Sequence, residues 1–259
     1  MRNKPATDDD MTFEEIQNIL RRKATGFETG GCRSTNQPNE SWIGKVLLFR
    51  ENEDVPAAEK GGLMTPLFQI YLPDLPFVPS ALDGTVVLCV FTTLYSADGW
   101  VETKSLPEEW EPMGKNWLIR EYPSLDGLVV KHFDSSNSFI KPFPLKPILI
   151  ENDFPQWGDE YIPESVFKEI VRLDDEGFFG EYPHPDNNSY VDRMPHEDGH
   201  KIGGWQSFCQ SGVDFGDGFE FVFQISSDDK AMLNIVDGGQ LNFAKNKNTG
   251  EWKMYYDYY

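Results

Sequence analysis

One string in this chain spells a known catalytic pattern: His196-Glu197-Asp198-Gly199-His200 reads as HExxH. On a helix, that spacing puts two imidazoles on one face to hold zinc, with the glutamate beside the metal-bound water as general base. The chemistry needs the helix, and the neighbouring residues argue against one. Pro195 precedes the string, Gly199 sits inside it and Gly203-Gly204 follow. A glycine inside a helix costs about 1 kcal/mol relative to alanine, and no apolar stripe at helical spacing offsets it here. Glu220, a possible third ligand by order, falls within the alternating run from Phe219 to Ile225, which reads as a strand. The expectation is therefore no zinc, with His196 and His200 not sharing a ligand. A hydrolase built on this string, or on an unrecognised carboxylate site, is the alternative reading.

Other reactive patterns are missing from the sequence. It has no GxSxG nucleophile elbow, no GxxxxGK phosphate loop and no GxGxxG dinucleotide turn. Asp214-Phe215-Gly216-Asp217-Gly218 and Ser227-Asp228-Asp229 lack EF-hand spacing and read as acidic turns. His132 and His184 stand alone. Cys32, Cys89 and Cys209 are odd in number and widely spaced, which disfavours a thiolate metal site or a redox pair. Cys89 lies in the apolar run Val86–Phe91 and reads as a small buried hydrophobe. No catalytic, metal or cofactor-binding residue is assigned, and no cofactor is expected.

The elements that would position any site are mostly short strands. After a polar tail over residues 1–10, Thr12 and Glu15 form a capping box that should open a helix, with Gly26 as its stop. Residues 27–40 read as loop. A second helix is expected from Pro163 to Leu173, with Val166, Phe167, Ile170, Val171 and Leu173 on one face. Asp83-Gly84, Asp98-Gly99, Asp126-Gly127 and Asp237-Gly238 are turn signals between apolar runs. Proline clusters at 73–79 and 142–147 read as extended loops. At the C-terminus, Trp252, Met254, Tyr256 and Tyr258 alternate as one face of a strand that closes the core, or that serves as an interface.

Three landmarks recur in the same order. The first set is Ile43-Gly44, then Gln69 inside Leu67-Phe68-Gln69-Ile70, then Asp83-Gly84. The second is Ile202-Gly203-Gly204, then Gln224 inside Val222-Phe223-Gln224-Ile225, then Asp237-Gly238. The nearly constant offset predicts an internal duplication of a β-rich unit, about 41–95 and 200–259, packed into one pseudo-symmetric molecule of predominantly antiparallel α+β class. The glycines would supply positive φ or close backbone approach. Each glutamine, polar inside an apolar strand, would satisfy both a donor and an acceptor in a neighbouring loop.

The same residues carry a resemblance. His200-Lys201-Ile202-Gly203-Gly204-Trp205, with Phe208-Cys209-Gln210 and Phe221-Val222-Phe223-Gln224-Ile225-Ser226-Ser227-Asp228, resembles the signature of the YwqG-like family, a bacterial group of unknown function. Pro66-Leu67-Phe68-Gln69-Ile70 and Leu75-Pro76 are similar to it as well. Residues 41–259 would form the YwqG-like domain, after an N-terminal tail, capped helix and loop over 1–40. The first half departs from the pattern, with Ile43-Gly44-Lys45 where a glycine pair is expected. The resemblance implies a duplicated α+β fold and brings no activity.

Composition bounds what such a fold can serve. The chain has 259 residues, 39% of them hydrophobic and 14% aromatic, enough to bury a core and too apolar for a disordered chain. It carries 43 acids against 23 bases, a net charge of −20. Such a surface repels nucleic acid and anionic membranes and attracts a basic protein. Met1-Arg2-Asn3-Lys4-Pro5 lacks the apolar core of a signal peptide, and no apolar run reaches membrane-spanning length, so a cytoplasmic location is expected. The functional expectation is a non-enzymatic acidic protein-binding module, in its most concrete form an immunity protein that neutralises a basic bacterial toxin.

Overall fold

The computed structural model of the chain describes residues 10–35, 37–94, 100–101, 106–133, 139–181, 186, 188–210 and 212–259. The turn signal at Asp98-Gly99, His184 and nearly all of the N-terminal tail lie outside the described residues. Helix α1 spans Phe13–Leu20 and opens on the expected capping box: the Thr12 hydroxyl accepts the Glu15 amide, and the Glu15 carboxylate accepts the Thr12 amide at 2.8 Å. It ends well before Gly26. The chain passes directly into strand β1, Arg22–Thr29, with Gly26 inside it. A Cβ at Gly26 would lie 2.8 Å from the Ile150 side chain, so this glycine admits a neighbour rather than stopping a helix.

The remaining strands are β2 (Trp42–Ile43), β3 (Leu48–Arg50), β4 (Thr65–Tyr71), β5 (Val87–Thr92), β6 (Trp100–Val101), β7 (Trp117–Tyr122), β8 (Leu128–Val130), β9 (Phe143–Asp153), β10 (Lys201–Gly203), β11 (Phe219–Ser226), β12 (Asn234–Ile235), β13 (Gln240–Asn246) and β14 (Trp252–Asp257). Helix α2 spans Glu164–Asp175 and the short α3 spans Tyr190–Arg193. Ten strands form one curled antiparallel sheet in the order β14-β13-β11-β10-β1-β9-β2-β4-β5-β7. Outward from the central β1–β9 pair, the two arms repeat one pattern. In one arm Ile43 faces Phe68 and Trp42 faces Gln69; in the other Ile202 faces Phe223 and Lys201 faces Gln224. The next strand pairs Gln69 with Cys89 and Gln224 with Asn242, and a bulge interrupts each ladder, between Pro66 and Phe68 and between Phe221 and Phe223.

The curl brings the inner faces of the arms together over one core. Phe68, Leu88 and Trp117 from one arm join Ile202, Phe223 and Trp252 from the other. The Phe223 and Phe243 rings stack at 4.3 Å, and Trp117 reaches across to Phe243 at 6.0 Å. The outer edges are tied together: Glu121 of β7 accepts from Lys245 Nζ of β13 at 2.7 Å and from Trp252 Nε1 of β14 at 2.8 Å. Trp252, Met254 and Tyr256 of the C-terminal strand are buried in this core. A second cluster joins α1, α2 and α3 through Ile16, Leu20, Val166, Ile170, Tyr190 and Trp205. A third, with Phe49, Cys89 and Phe91, lies under the β3–β8 ribbon. Among the described residues, no helix is long and apolar enough to cross a membrane.

Two sequence expectations change. Residues 22–29, expected as the end of a helix and the start of a loop, form β1, which pairs with both β9 and β10 at the centre of the sheet. The proline cluster at 142–147 is not a loop: Pro144 and Pro147 lie in the long central strand β9. Strand prolines survive where the absent N–H faces no neighbour. The Pro144 carbonyl accepts from Gly30, just past the end of β1, and β2 covers β9 only at Phe143 and Pro144, so Pro147 lies beyond it.

Candidate functional site

The two strand glutamines do the same job in the two arms. Gln69 Oε1 accepts the amides of Leu47 and Leu48 at 2.8 and 3.0 Å, while its Nε2 donates to the Pro38 and Glu40 carbonyls at 2.8 and 2.9 Å. Gln224 Oε1 accepts the Ser207 amide at 3.0 Å, and its Nε2 donates to the Asp198 and Gly199 carbonyls at 3.0 and 2.9 Å. Both are fully buried. Each amide thus supplies the hydrogen bonds that a loop folded over an apolar strand cannot make for itself.

The loop that Gln224 holds carries the HExxH string, and residues 196–200 are not helical. The imidazoles have separate surroundings. His200 Nδ1 accepts the Ser226 amide at 3.0 Å, so its Nε2 carries the proton and donates to Asp228 at 3.2 Å; its ring packs edge-on against Phe68 of the other arm. Burial pushes the Asp228 carboxyl up, but hydrogen bonds from His200 and the Ala231 amide outweigh it and hold the group well below the usual range. His196 Nδ1 donates to the Phe154 carbonyl at 2.6 Å, which leaves Nε2 to accept from the Ser207 hydroxyl at 2.8 Å. Burial and the nearby Lys201 charge depress the His196 pKa, keeping the ring neutral.

Ser207 and His196 therefore pair as a nucleophile and a base, but Asp153, 3.8 Å from His196 Nδ1, is beyond hydrogen-bond reach and does not complete a triad. The arrangement lacks what acyl transfer requires. Ser207 is buried. Oxyanion stabilisation needs free N–H donors, and the local amides are spent: Ser207 on Gln224, Phe208 on Gln156 at 2.7 Å, and Cys209 and Gln210 on Asp257 at 2.6 and 3.1 Å. Asp153 is occupied as well. It accepts the Glu197 and Trp205 amides at 2.9 and 2.7 Å and the Lys201 ammonium at 3.0 Å. Lys201 and Asp153 are both fully buried. Burial depresses the Lys201 pKa, and Asp153 opposes that shift.

The glycines of the motif fit this crowding. Gly204 has φ 71° and a Cβ there would fall 2.1 Å from Asp153 Oδ2; Gly203, at φ 77°, lies against Phe77 and the Lys23 carbonyl. Gly44 holds φ 70° against Ile140 and Lys141. Gly84 and Gly238, at φ 81° and 66°, close the exposed turns begun by Asp83 and Asp237. The motif residues thus divide by place: His200, Gly203, Gly204 and Gln224 surround one buried network, Gly44 and Gln69 occupy the matching place in the other arm, and the two Asp-Gly pairs lie apart in turns.

Beside the network, a groove of about 420 Å³ runs over Gly203-Gly204. Its walls include Phe77, Tyr161, Trp205 and Phe221, with Arg22 and Gln206 as polar groups. The Arg22 guanidinium carbon sits over the Trp205 ring, 3.5 Å from the centroid, and Nη1 donates to the Gly204 carbonyl at 3.4 Å. The residue is solvent-exposed, yet crowding by the walls pushes its guanidinium below the ordinary value, against the pull of Asp159 and Asp153. Asp159 is buried; desolvation raises its carboxyl to about 6, and among the described residues its Oδ2 has no hydrogen-bond partner. Sequence reading missed Arg22, Asp153 and Ser207, which belong to no motif and are far apart in the chain. Among the described residues, no group of three or more His, Cys, Asp or Glu is placed to hold a metal ion. No protein-family model and no curated protein matches the chain.

Proposed function

We propose that this protein is a non-catalytic, acidic protein-binding module, in its most concrete form an immunity protein that covers a basic bacterial toxin. The net charge of −20 carries the reading. Charge of that size costs the fold some self-repulsion and steers a basic protein toward it, while repelling nucleic acid and anionic membranes. The engagement of His196, His200, Ser207 and Asp153 within the fold supports it, because it leaves the HExxH string without free ligands. Trp110 adds an anchor of the kind that gives lasting grip: it is exposed, stacks on Tyr255 at 5.3 Å and stands beside Glu108 and Glu109.

The same proposal includes a cytoplasmic location, membership of the YwqG-like family and origin by internal duplication. The last is supported by the matching order of strands in the two arms and by the equivalent pairings of Gln69 and Gln224. The test is association kinetics with the basic protein encoded beside this one, across a salt series, together with rescue of cells that express that protein. An association rate that falls steeply with salt, a nearly constant dissociation rate and restored growth are the expected results. Absence of binding and rescue, or an association rate indifferent to salt, rejects the reading.

A further inference from the structure

The groove over Gly203-Gly204 has a use that the protein-binding reading does not require. We propose that it binds a carboxylate attached to a flat apolar body with a neighbouring N–H, the chemistry shared by N-acylated aromatic amino acids and peptides ending in an aromatic residue. Its size lies within the range of about 300–1,000 Å³ typical of small-ligand sites, and its walls are largely aromatic with a few polar groups, the usual composition of such sites.

The walls are fixed before any ligand arrives, which lowers the entropic cost of binding. Thr25 Oγ1 donates to the Phe77 carbonyl at 2.7 Å and accepts the Phe77 amide at 3.0 Å, pinning that ring over the sheet. Tyr161 is held through its hydroxyl, which accepts the Phe215 amide at 2.7 Å. Trp205 donates from Nε1 to the Leu20 carbonyl at 2.7 Å.

Arg22 is the cation left to answer an anion. The other charges on the groove are paired, Lys23 with Glu151 at 2.9 Å and Glu220 with Lys247 at 3.2 Å. Among the described residues Arg22 has no salt bridge, and its one hydrogen bond, to Gly204, leaves most of its donors unused. The contact with the Trp205 ring uses none of the guanidinium N–H donors, and its forked donors match the two oxygens of a carboxylate. Gln206 is buried on the same groove, and its Oε1 has no partner among the described residues, an acceptor that an N–H would satisfy. A phosphate dianion would meet the repulsion of the acidic surface twice over, so the single charge of a carboxylate is the better fit.

Isothermal titration of the full-length chain tests this with N-acetyl-phenylalanine, its carboxamide and a hexapeptide ending in phenylalanine. Binding of N-acetyl-phenylalanine should exceed that of the carboxamide by about tenfold or more, since a charge-assisted pair is lost. Arg22→Lys, confirmed as folded by its thermal transition, should lower affinity for the acid by about the same factor while leaving the weak carboxamide binding unchanged. Phe77→Ala should weaken the acid and the carboxamide together. A hexapeptide that binds more tightly than the small acid identifies a polypeptide end as the source; one that binds equally or less tightly identifies a free small molecule. Equal binding of acid and carboxamide, unchanged affinity in folded Arg22→Lys, or no heat from any of the three compounds overturns the proposal, whether or not a basic protein partner is found.

Discussion

Leucine in place of Gln224 would keep the volume and remove every hydrogen bond the amide makes. The Ser207 amide and the Gly199 carbonyl would lose this partner inside the protein. At about 1–3 kcal/mol for each unsatisfied buried group, Gln224→Leu should cost roughly 2–4 kcal/mol in urea unfolding, and Gln69→Leu a similar amount. Lys201→Met should cost more, about 3–5 kcal/mol, because it strands the buried Asp153 carboxylate. Asp159 gives the opposite signature in pH. Its folded value of about 6 lies above the unfolded 3.8, so the folded state holds the proton more tightly between those values. Its contribution therefore falls as pH rises from about 4 to 6 and levels off above, a loss of about 2–3 kcal/mol at 1.36 kcal/mol per unit. Asp159→Asn should flatten that part of the stability–pH curve in denaturant titrations. The glutamines were legible in the sequence because an amide inside an apolar run has to be answered. Lys201 and Asp153 were not, since charged residues are almost never fully buried unless paired, and no spacing rule links a lysine to an aspartate 48 positions away.

At the level of elements, the glycines of the repeat separate two costs. Gly84 has open space around its Cβ position, so Gly84→Ala should lose only the left-handed backbone penalty, about 1–2 kcal/mol. Gly204→Ala adds a collision with Asp153 and should cost about 3 kcal/mol or more, with loss of the Trp205–Asp153 bond seen as a shifted amide resonance. Helices α1 and α2 could be read from capping and apolar spacing, and β11 and β14 from alternation. The two central strands could not. Gly26, Pro144 and Pro147 carry the marks of breaks, and only the tertiary arrangement, Ile150 against Gly26 and prolines past the ends of neighbouring strands, makes them compatible with a sheet.

For the molecule as a whole, the shared core predicts one transition. Phe243 touches aromatic rings of both arms, so Phe243→Ala should cost about 3–5 kcal/mol and shift the far-ultraviolet circular dichroism and tryptophan fluorescence curves together. Two separated curves would mean that the arms unfold independently. The recurring landmarks in the two arms could be seen in the sequence, whereas the β1–β9 pair that joins the arms lies outside residues 41–95 and 200–259. That central pair also sets a timetable for synthesis. β1 leaves the ribosome before either strand it pairs with, since Thr29 pairs with Leu145 and Ala24 with Gly203. At about 5–20 residues per second, the roughly 115 residues between Thr29 and Leu145 take roughly 6–23 seconds to appear. Throughout that interval β1 has neither flanking strand, and the nascent chain exposes an unpaired strand of the kind that holding chaperones cover and other nascent chains can capture.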